Sequence, residues 1–277
     1  PFGNDIEALL DQVELVLTET GSEKVLIFTH GFSNGFETAA QRLAIWSESS
    51  KHKAIPVLFS WPSLNVPIIE IIEAGRRGRL GYLSDRSMIE KSCAKFSILL
   101  ENFARRFGEE KVVVVAHSMG ARLTEMALMG CPRSENFWPA DLVVGDLIYA
   151  APDIEKRAFS LLVERYGQMV SSLTVYVSAN DVALQTAQTI DGGSRRLGQG
   201  GAERPISPDY FTVDASAIEN LRGADDQNHS YVFSLPQAKY DILELIAGNT
   251  DPDTRNCPAK QQLNDLVFWT LQPSCLE

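Results

Sequence analysis

Apolar and polar positions along this chain change period repeatedly, alternating helices with buried strands. Ile6, Leu9, Leu10, Val13, Val16 and Leu17 recur at helical spacing and predict an amphipathic helix over 6–17. Lys24-Val25-Leu26-Ile27-Phe28-Thr29 then reads as a buried strand that runs into His30-Gly31-Phe32-Ser33-Asn34-Gly35. Residues 37–47 return to a helix through Ala39, Leu43, Ala44 and Trp46, and 54–59 to a strand ending in Ser60-Trp61-Pro62-Ser63. A helix over 88–107, carried by Ile89, Cys93, Phe96, Leu99, Leu100 and Phe103, leads into Lys111-Val112-Val113-Val114-Val115. Four consecutive valines suit a strand buried on both faces. Further strands are predicted at 141–150, 173–178 and 211–213, the last of these closing the set. Helices are predicted around 159–163 and 240–246, a long glycine-rich loop over 185–208, and a polar tail over 250–277. Strands alternating with helices at this spacing define an α/β class: one domain built on a mostly parallel sheet with helices on both faces.

Residues 64–84 fit neither period. An apolar run, Val66-Pro67-Ile68-Ile69-Glu70-Ile71-Ile72, is followed by the basic Gly75-Arg76-Arg77-Gly78-Arg79. The excursion reads either as a flap over a pocket or as a surface loop or helix packed elsewhere.

The stretch after the valines carries the candidate chemistry. Ala116-His117-Ser118-Met119-Gly120 is a sharp turn bearing a hydroxyl, and Leu123, Met126, Ala127 and Leu128 continue it as a helix until Gly130. Strand, turn and helix around a serine form the setting of a nucleophile elbow, in which small residues allow close backbone approach. The helix start also offers free backbone N–H groups. Ala116 stands where the elbow pattern has glycine, a substitution of one methyl.

A serine hydroxyl needs a base, and the chain has four histidines. His117 adjoins Ser118 and its side chain diverges from it, His30 belongs to the glycine loop, and His52 precedes a strand at the opposite edge of the sheet. His229, in a loop after the last predicted strand, is the candidate base. Two aspartates at strand ends compete to orient it: Asp181 after Ser178-Ala179-Asn180, and Asp153 after Ala150-Ala151-Pro152. Asp181 is favoured, since Asp153 could equally cap the following helix. The backbone N–H groups of Phe32 and Met119 are the candidate oxyanion donors, and Phe32, Trp61, Pro62, Met119 and Leu184 the candidate pocket residues.

Composition narrows the partners. At 44% hydrophobic and 22% charged residues, the 277-residue chain is of ordinary globular type, and its formal charge of −11 would repel nucleic acid or an anionic membrane. A neutral or cationic small molecule is easier to accommodate. No apolar run approaches bilayer length, so no membrane-inserted segment is expected. Cys93 lies in a helical pattern and Cys131 follows a glycine, whereas Cys257 and Cys275 bracket the polar tail. That second pair would close a short loop as a disulfide or remain as two free thiols. A disulfide, with an upstream segment expected to have been removed before Pro1, favours a periplasmic or secreted protein; free thiols would fit the cytoplasm. None of the cysteines has metal-ligand spacing with a histidine, and neither metal nor cofactor is expected.

With His30-Gly31-Phe32, Phe59-Ser60-Trp61-Pro62-Ser63, Ala116-His117-Ser118-Met119-Gly120, Ala150-Ala151-Pro152-Asp153 and Asp181-Val182-Ala183-Leu184, the chain resembles the α/β-hydrolases over residues 20–250. Within them it is most similar to the bacterial, lipase- and esterase-like branch named domain of unknown function 900. The resemblance implies a sheet of about eight strands, a Ser118/Asp181/His229 triad, ester hydrolysis without a cofactor, and Asp85 as a structural support. The resulting expectation is a serine esterase for small or medium-chain esters. The alternatives are a lipase or phospholipase with a mobile flap, and a non-catalytic binding module on the same fold. A dehalogenase would need an aspartate at position 118.

Overall fold

In the computed structural model, the described residues are 3–49, 53–64, 76–132, 137–218 and 227–276. Eight strands form one sheet: β1 (Lys24–Thr29), β2 (Ala54–Phe59), β3 (Val112–His117), β4 (Asp146–Ala150), β5 (Ser172–Val177), β6 (Phe211–Asp214), β7 (Pro258–Leu263) and β8 (Leu266–Leu271). Their order is β2-β1-β3-β4-β5-β6-β8-β7, with every adjacent pair parallel except β7 and β8. The helices are α1 (Gly3–Thr20), α2 (Phe36–Ser49), α3 (Arg76–Phe107), α4 (Met119–Met129), α5 (Lys156–Ser160), α6 (Val163–Tyr166), α7 (Val182–Ile190), α8 (Tyr231–Ser234) and α9 (Pro236–Ile246).

The valine run shows why the sheet is covered on both sides. All six residues of β3 are buried. Val112, Val114 and Ala116 enter a core with Leu10 and Val13 of α1, Phe96 and Leu100 of α3 and Leu123 of α4. Val113 and Val115 enter a second core with Leu43 and Trp46 of α2 and Ile242 and Leu245 of α9. Side chains alternate across a strand, so a central strand between two helical layers must be apolar at every position.

Several boundaries differ from the sequence reading. The helix expected to begin at Met88 begins at Arg76, so the second half of the irregular 64–84 stretch is helical; residues 65–75, with most of the expected flap, lie outside the described residues, as does His52. The polar Asp85 sits on the buried face of α3 between Tyr82 and Ile89, and Gly81 lowers helix propensity, so no apolar stripe marks this turn. The strand predicted over 141–150 pairs only from Asp146, opposite Val113, after Gly145 turns the chain at φ 114°. The glycine-rich loop predicted over 185–208 begins as α7, and the loop beyond it lies along the ends of β4 and β5: Gly198 N–H donates to Pro152 O at 3.0 Å and Ser178 N–H to Gly198 O at 3.0 Å.

The expected polar tail is the largest correction. Residues 258–271 form a hairpin that extends the sheet past β6, so β6 does not end it. Pairing of Leu263 with Leu266 leaves a two-residue turn at Asn264-Asp265, with Asn264 at φ 55°, a conformation asparagine tolerates.

All four cysteines are paired. Cys257–Cys275 ties the open end of the hairpin, and Cys93–Cys131, a pairing the sequence reading did not propose, joins α3 to the segment after α4. Two disulfides point to an oxidising compartment. Among the described residues, no helix is long and apolar enough to cross a membrane.

The Cys93–Cys131 bond closes the longer loop, 38 residues against 18. Paired replacement of Cys93 and Cys131 by alanine is expected to cost about 2–4 kcal/mol, and the same change at Cys257 and Cys275 less, because loop-closure entropy grows with loop length. Urea titrations of the two variants check the order; a larger loss from opening the hairpin bond would contradict it.

Candidate active site

The strand order reverses between β1 and β3: β2 lies to one side of β1 and the later parallel strands to the other. Loops leaving the C-terminal ends of strands diverge at such a point and open a crevice. His30-Gly31-Phe32 leaves β1 there, and Ser118 follows β3.

Ser118 stands between β3 and α4 at φ 55° and ψ −120°, a left-handed φ that a side chain rarely adopts. The corner is held by backbone bonds: Ser118 N–H donates to Ala150 O at 3.0 Å, and Asp153 N–H donates to Ser118 O at 3.1 Å. Two glycines make room for it. A Cβ on Gly31 would lie 2.7 Å from Ser118 Cβ, and one on Gly120 would lie 2.6 Å from the backbone oxygens of both Thr29 and His30. Any side chain at either position would push the β1 loop away from the serine.

His30 locks that loop to the segment after β2. Its Nε2 accepts from Trp61 N–H at 3.2 Å, its own carbonyl accepts from Trp61 Nε1–H at 2.8 Å, and the two rings stack with centroids 4.9 Å apart. Burial drives the His30 pKa down to about 4, so the ring stays neutral and can accept. Asp85, the support implied by the family resemblance, takes Ser33 N–H at 3.3 Å, Leu64 N–H at 3.0 Å and the Ser63 hydroxyl, joining both loops to α3.

Asp181 and His229 are brought together. His229 Nδ1–H donates to Asp181 Oδ2 at 2.7 Å, while Asp181 Oδ1 accepts from Leu184 N–H at 3.0 Å, capping α7. The same carboxylate thus starts a helix and orients an imidazole, leaving the histidine Nε2 as an acceptor. Asp181 is wholly buried, and Ser118 and His229 nearly so.

Asp153, the competing aspartate, is bonded to other groups. Its Oδ2 accepts from the Tyr82 hydroxyl at 2.7 Å, its Oδ1 from Arg196 Nε–H at 2.7 Å, and its backbone oxygen from Arg196 Nη2–H at 3.1 Å. Arg196 is fully buried and also meets Asp191 at 3.0 Å, which in turn meets Arg86 and Arg122. Burial alone would raise the Asp191 pKa, but the three arginines hold it below the usual carboxylate range.

Ser118 and His229 line one cavity of about 40 Å³. One wall is α7, through Ala183, Leu184, Ala187 and Ile190, and Phe32, Tyr82 and Asp153 stand around the same space. Of the residues expected in the pocket, Leu184 and Phe32 line this cavity. Trp61 does not: it is buried against His30, and Pro62 is exposed, so neither lines this cavity. The Met119 side chain packs in the core, while its N–H is the first of α4. Tyr82 and, on the α7 wall, Ala183, Ala187 and Ile190 were missed. Ala183, Leu184, Ala187 and Ile190 do carry a helical apolar period, which the glycine-rich reading of 185–208 concealed. Among the described residues, no cluster of three or more His, Cys, Asp or Glu side chains could hold a metal ion.

An eight-stranded, nearly all-parallel sheet with this serine corner at its reversal point is the architecture of the α/β-hydrolases. The chain belongs to the family of alpha/beta hydrolases of unknown function, DUF900, whose family model matches residues 7–247. No curated protein and no solved structure matches it.

Because the pKa of His30 in the fold lies below the ordinary histidine value of 6.5, protonation favours the unfolded chain. Its contribution to stability is present above pH 6.5 and is lost as pH falls towards about 4. His30→Gln should therefore show a shallower loss of stability over this window than the wild type, by up to about 1.4 kcal/mol per pH unit. Parallel slopes in urea titrations at stepped pH would refute this.

Proposed function

We propose that the protein is a serine hydrolase acting on carboxylic esters through an acyl-enzyme. The Nδ1–H bond from His229 to Asp181, 2.7 Å long, on a cavity shared with Ser118, is the observation that carries the reading. In this reaction His229 Nε2 takes the Ser118 proton as the oxygen attacks the ester carbonyl. The Phe32 and Met119 N–H groups hold the oxyanion. The alcohol leaves with the proton from His229, and water activated by the same ring then releases the acid and restores Ser118. The modest cavity and the apolar α7 wall favour small or medium acyl groups. The two disulfides favour a periplasmic or secreted enzyme.

A lipase or phospholipase reading draws support from exposed Leu64, Leu80 and Leu83, which lie within the 64–84 stretch expected as a flap. Rates on a series of ester chain lengths separate the two: the esterase reading expects the highest values on short and medium chains, the lipase reading on long-chain emulsions.

Labelling with a fluorophosphonate, followed by intact mass and peptide mapping, tests the nucleophile. One adduct on Ser118 is expected, absent in Ser118→Ala. Asp181→Asn should slow labelling by a factor on the order of 10²–10⁴, because the imidazole loses its orienting acceptor. Asp153→Asn, which leaves the His229 partner in place, should act mainly on stability. Equal slowing by both variants would return Asp153 to contention, and no adduct on the wild type would favour a binding module.

A further inference from the structure

The reaction described above leaves one buried histidine without a task. His117 precedes Ser118 and is nearly inaccessible, yet its Nε2 lies 3.3 Å from the carbonyl oxygen of His229. Its ring centroid is 4.8 Å from that of His229, and Phe233 packs edge-on against it at 5.1 Å. A carbonyl oxygen can only accept, so Nε2 carries the proton and donates. His117 Nδ1 is then a bare acceptor, buried and without a hydrogen-bond partner among the described residues. Burial, and then the neighbouring His229, push the His117 pKa well down, which keeps this neutral tautomer.

The backbone leading to His229 explains why it needs a grip. Gln227 and Asn228 have φ of 61° and 60°, two successive non-glycine residues in the left-handed region. Such conformations persist only where their surroundings over-determine them. Val182 N–H donates to Gln227 O at 3.0 Å on one side, and Arg42 Nη2–H to Ser230 Oγ at 2.7 Å on the other. Between these two ties, His117 reaches His229 itself. At 3.3 Å the bond is long, and the ring contact adds to it.

We propose that His117 is a positioning residue for the general base. Its Nε2–H bond and its ring hold the main chain and the imidazole of His229 in line with Asp181 and Ser118. This rests on the reading of His229 as the base. It assigns the residue before the nucleophile a role through its partner across the site rather than towards the serine it adjoins.

The test compares three variants of the full chain: His117→Gln, whose amide nitrogen extends about as far as Nε2; His117→Asn, which reaches only as far as Nδ1; and His117→Phe, which keeps a ring and loses the donor. The readouts are the maximal rate and the half-saturating concentration of fluorophosphonate labelling at Ser118, with thermal melts alongside. Misplacing a base lowers the maximal rate: His117→Asn and His117→Phe should each lose on the order of 10–10²-fold at nearly unchanged half-saturation, and His117→Gln should recover most of it. Equal rates in all variants, or His117→Gln no better than His117→Asn, would overturn the proposal, as would lowered melting points with unchanged rates. Should the His117→Phe chain not fold, the Gln and Asn pair decides alone. In the wild type, nitrogen shifts of the His117 ring should show Nε2 protonated and Nδ1 bare; the opposite tautomer would also overturn it. An unlabelled wild type would mark failure of the serine-hydrolase reading, whereas a labelled wild type with indifferent variants marks failure of this proposal alone.

Discussion

The close approach of α4 to the end of β1 is the constraint on which the site depends. Gly120 brings the first turn of α4 against the backbone oxygens of Thr29 and His30, and Gly31 brings the β1 loop against Ser118. Both contacts are too short for a Cβ. They set the distance between the serine hydroxyl and the backbone N–H groups that follow Gly31 and Ser118. Precision at that distance comes from the sheet: β1 and β3 are paired in register from Val25 opposite Val112 to Thr29 opposite Ala116, so both loops start from one rigid edge. The locking of His30 to Trp61 and of Asp85 to Ser33 and Leu64 extends the same edge to β2 and α3.

Two buried aspartates divide the remaining work, and their partners decide which does what. Asp181 faces backbone N–H and an imidazole, so its charge is directed at the histidine. Asp153 faces a guanidinium and a phenol, so its charge is spent inside the fold. A buried ion pair such as Arg196 with Asp153 is costly to desolvate and adds little net stability, but losing one partner leaves an uncompensated charge. Here it fastens the loop after α7, which has few apolar residues of its own, onto the end of β4. Strand ends alone could not separate these roles, because both aspartates follow a strand and precede a helix.

The legible parts of the chain were those in which one physical signal dominated. The valine strand and the serine corner after it set a buried apolar run, a turn and a helical period in consecutive residues. What stayed hidden depended on contacts between distant residues. The first turns of α3 bury a carboxylate where a stripe should be apolar, and the satisfaction of Asp85 by Ser33, Ser63 and Leu64 exists only once three elements meet. The β7–β8 hairpin read as a polar tail because it forms the sheet edge, where many of its side chains face solvent and the hydrophobic period fades. Cys93 and Cys131 gave no pairing signal, since 38 residues of chain separate them and nothing local relates a helix to the segment after the next one. Trp61 was placed in the pocket by its position after a strand, but an indole that can both stack on His30 and donate to its carbonyl is better used inside.

In the proposed reaction, one helix ties selectivity to catalysis. The apolar wall of the cavity is α7, and its N-cap is the carboxylate that orients His229. Its first N–H also holds the Gln227 carbonyl, in the strained turn that carries the histidine. A rigid shift of α7 to admit a larger acyl group would therefore move the Asp181 carboxylate and the His229 loop together, and would disturb the alignment it was meant to serve. Replacing side chains on the wall, at Leu184, Ala187 or Ile190, changes the space without moving the cap. On the esterase reading the fold separates what can vary from what cannot: acyl preference would rest with the cavity-lining side chains of α7, and reactivity with its first turn.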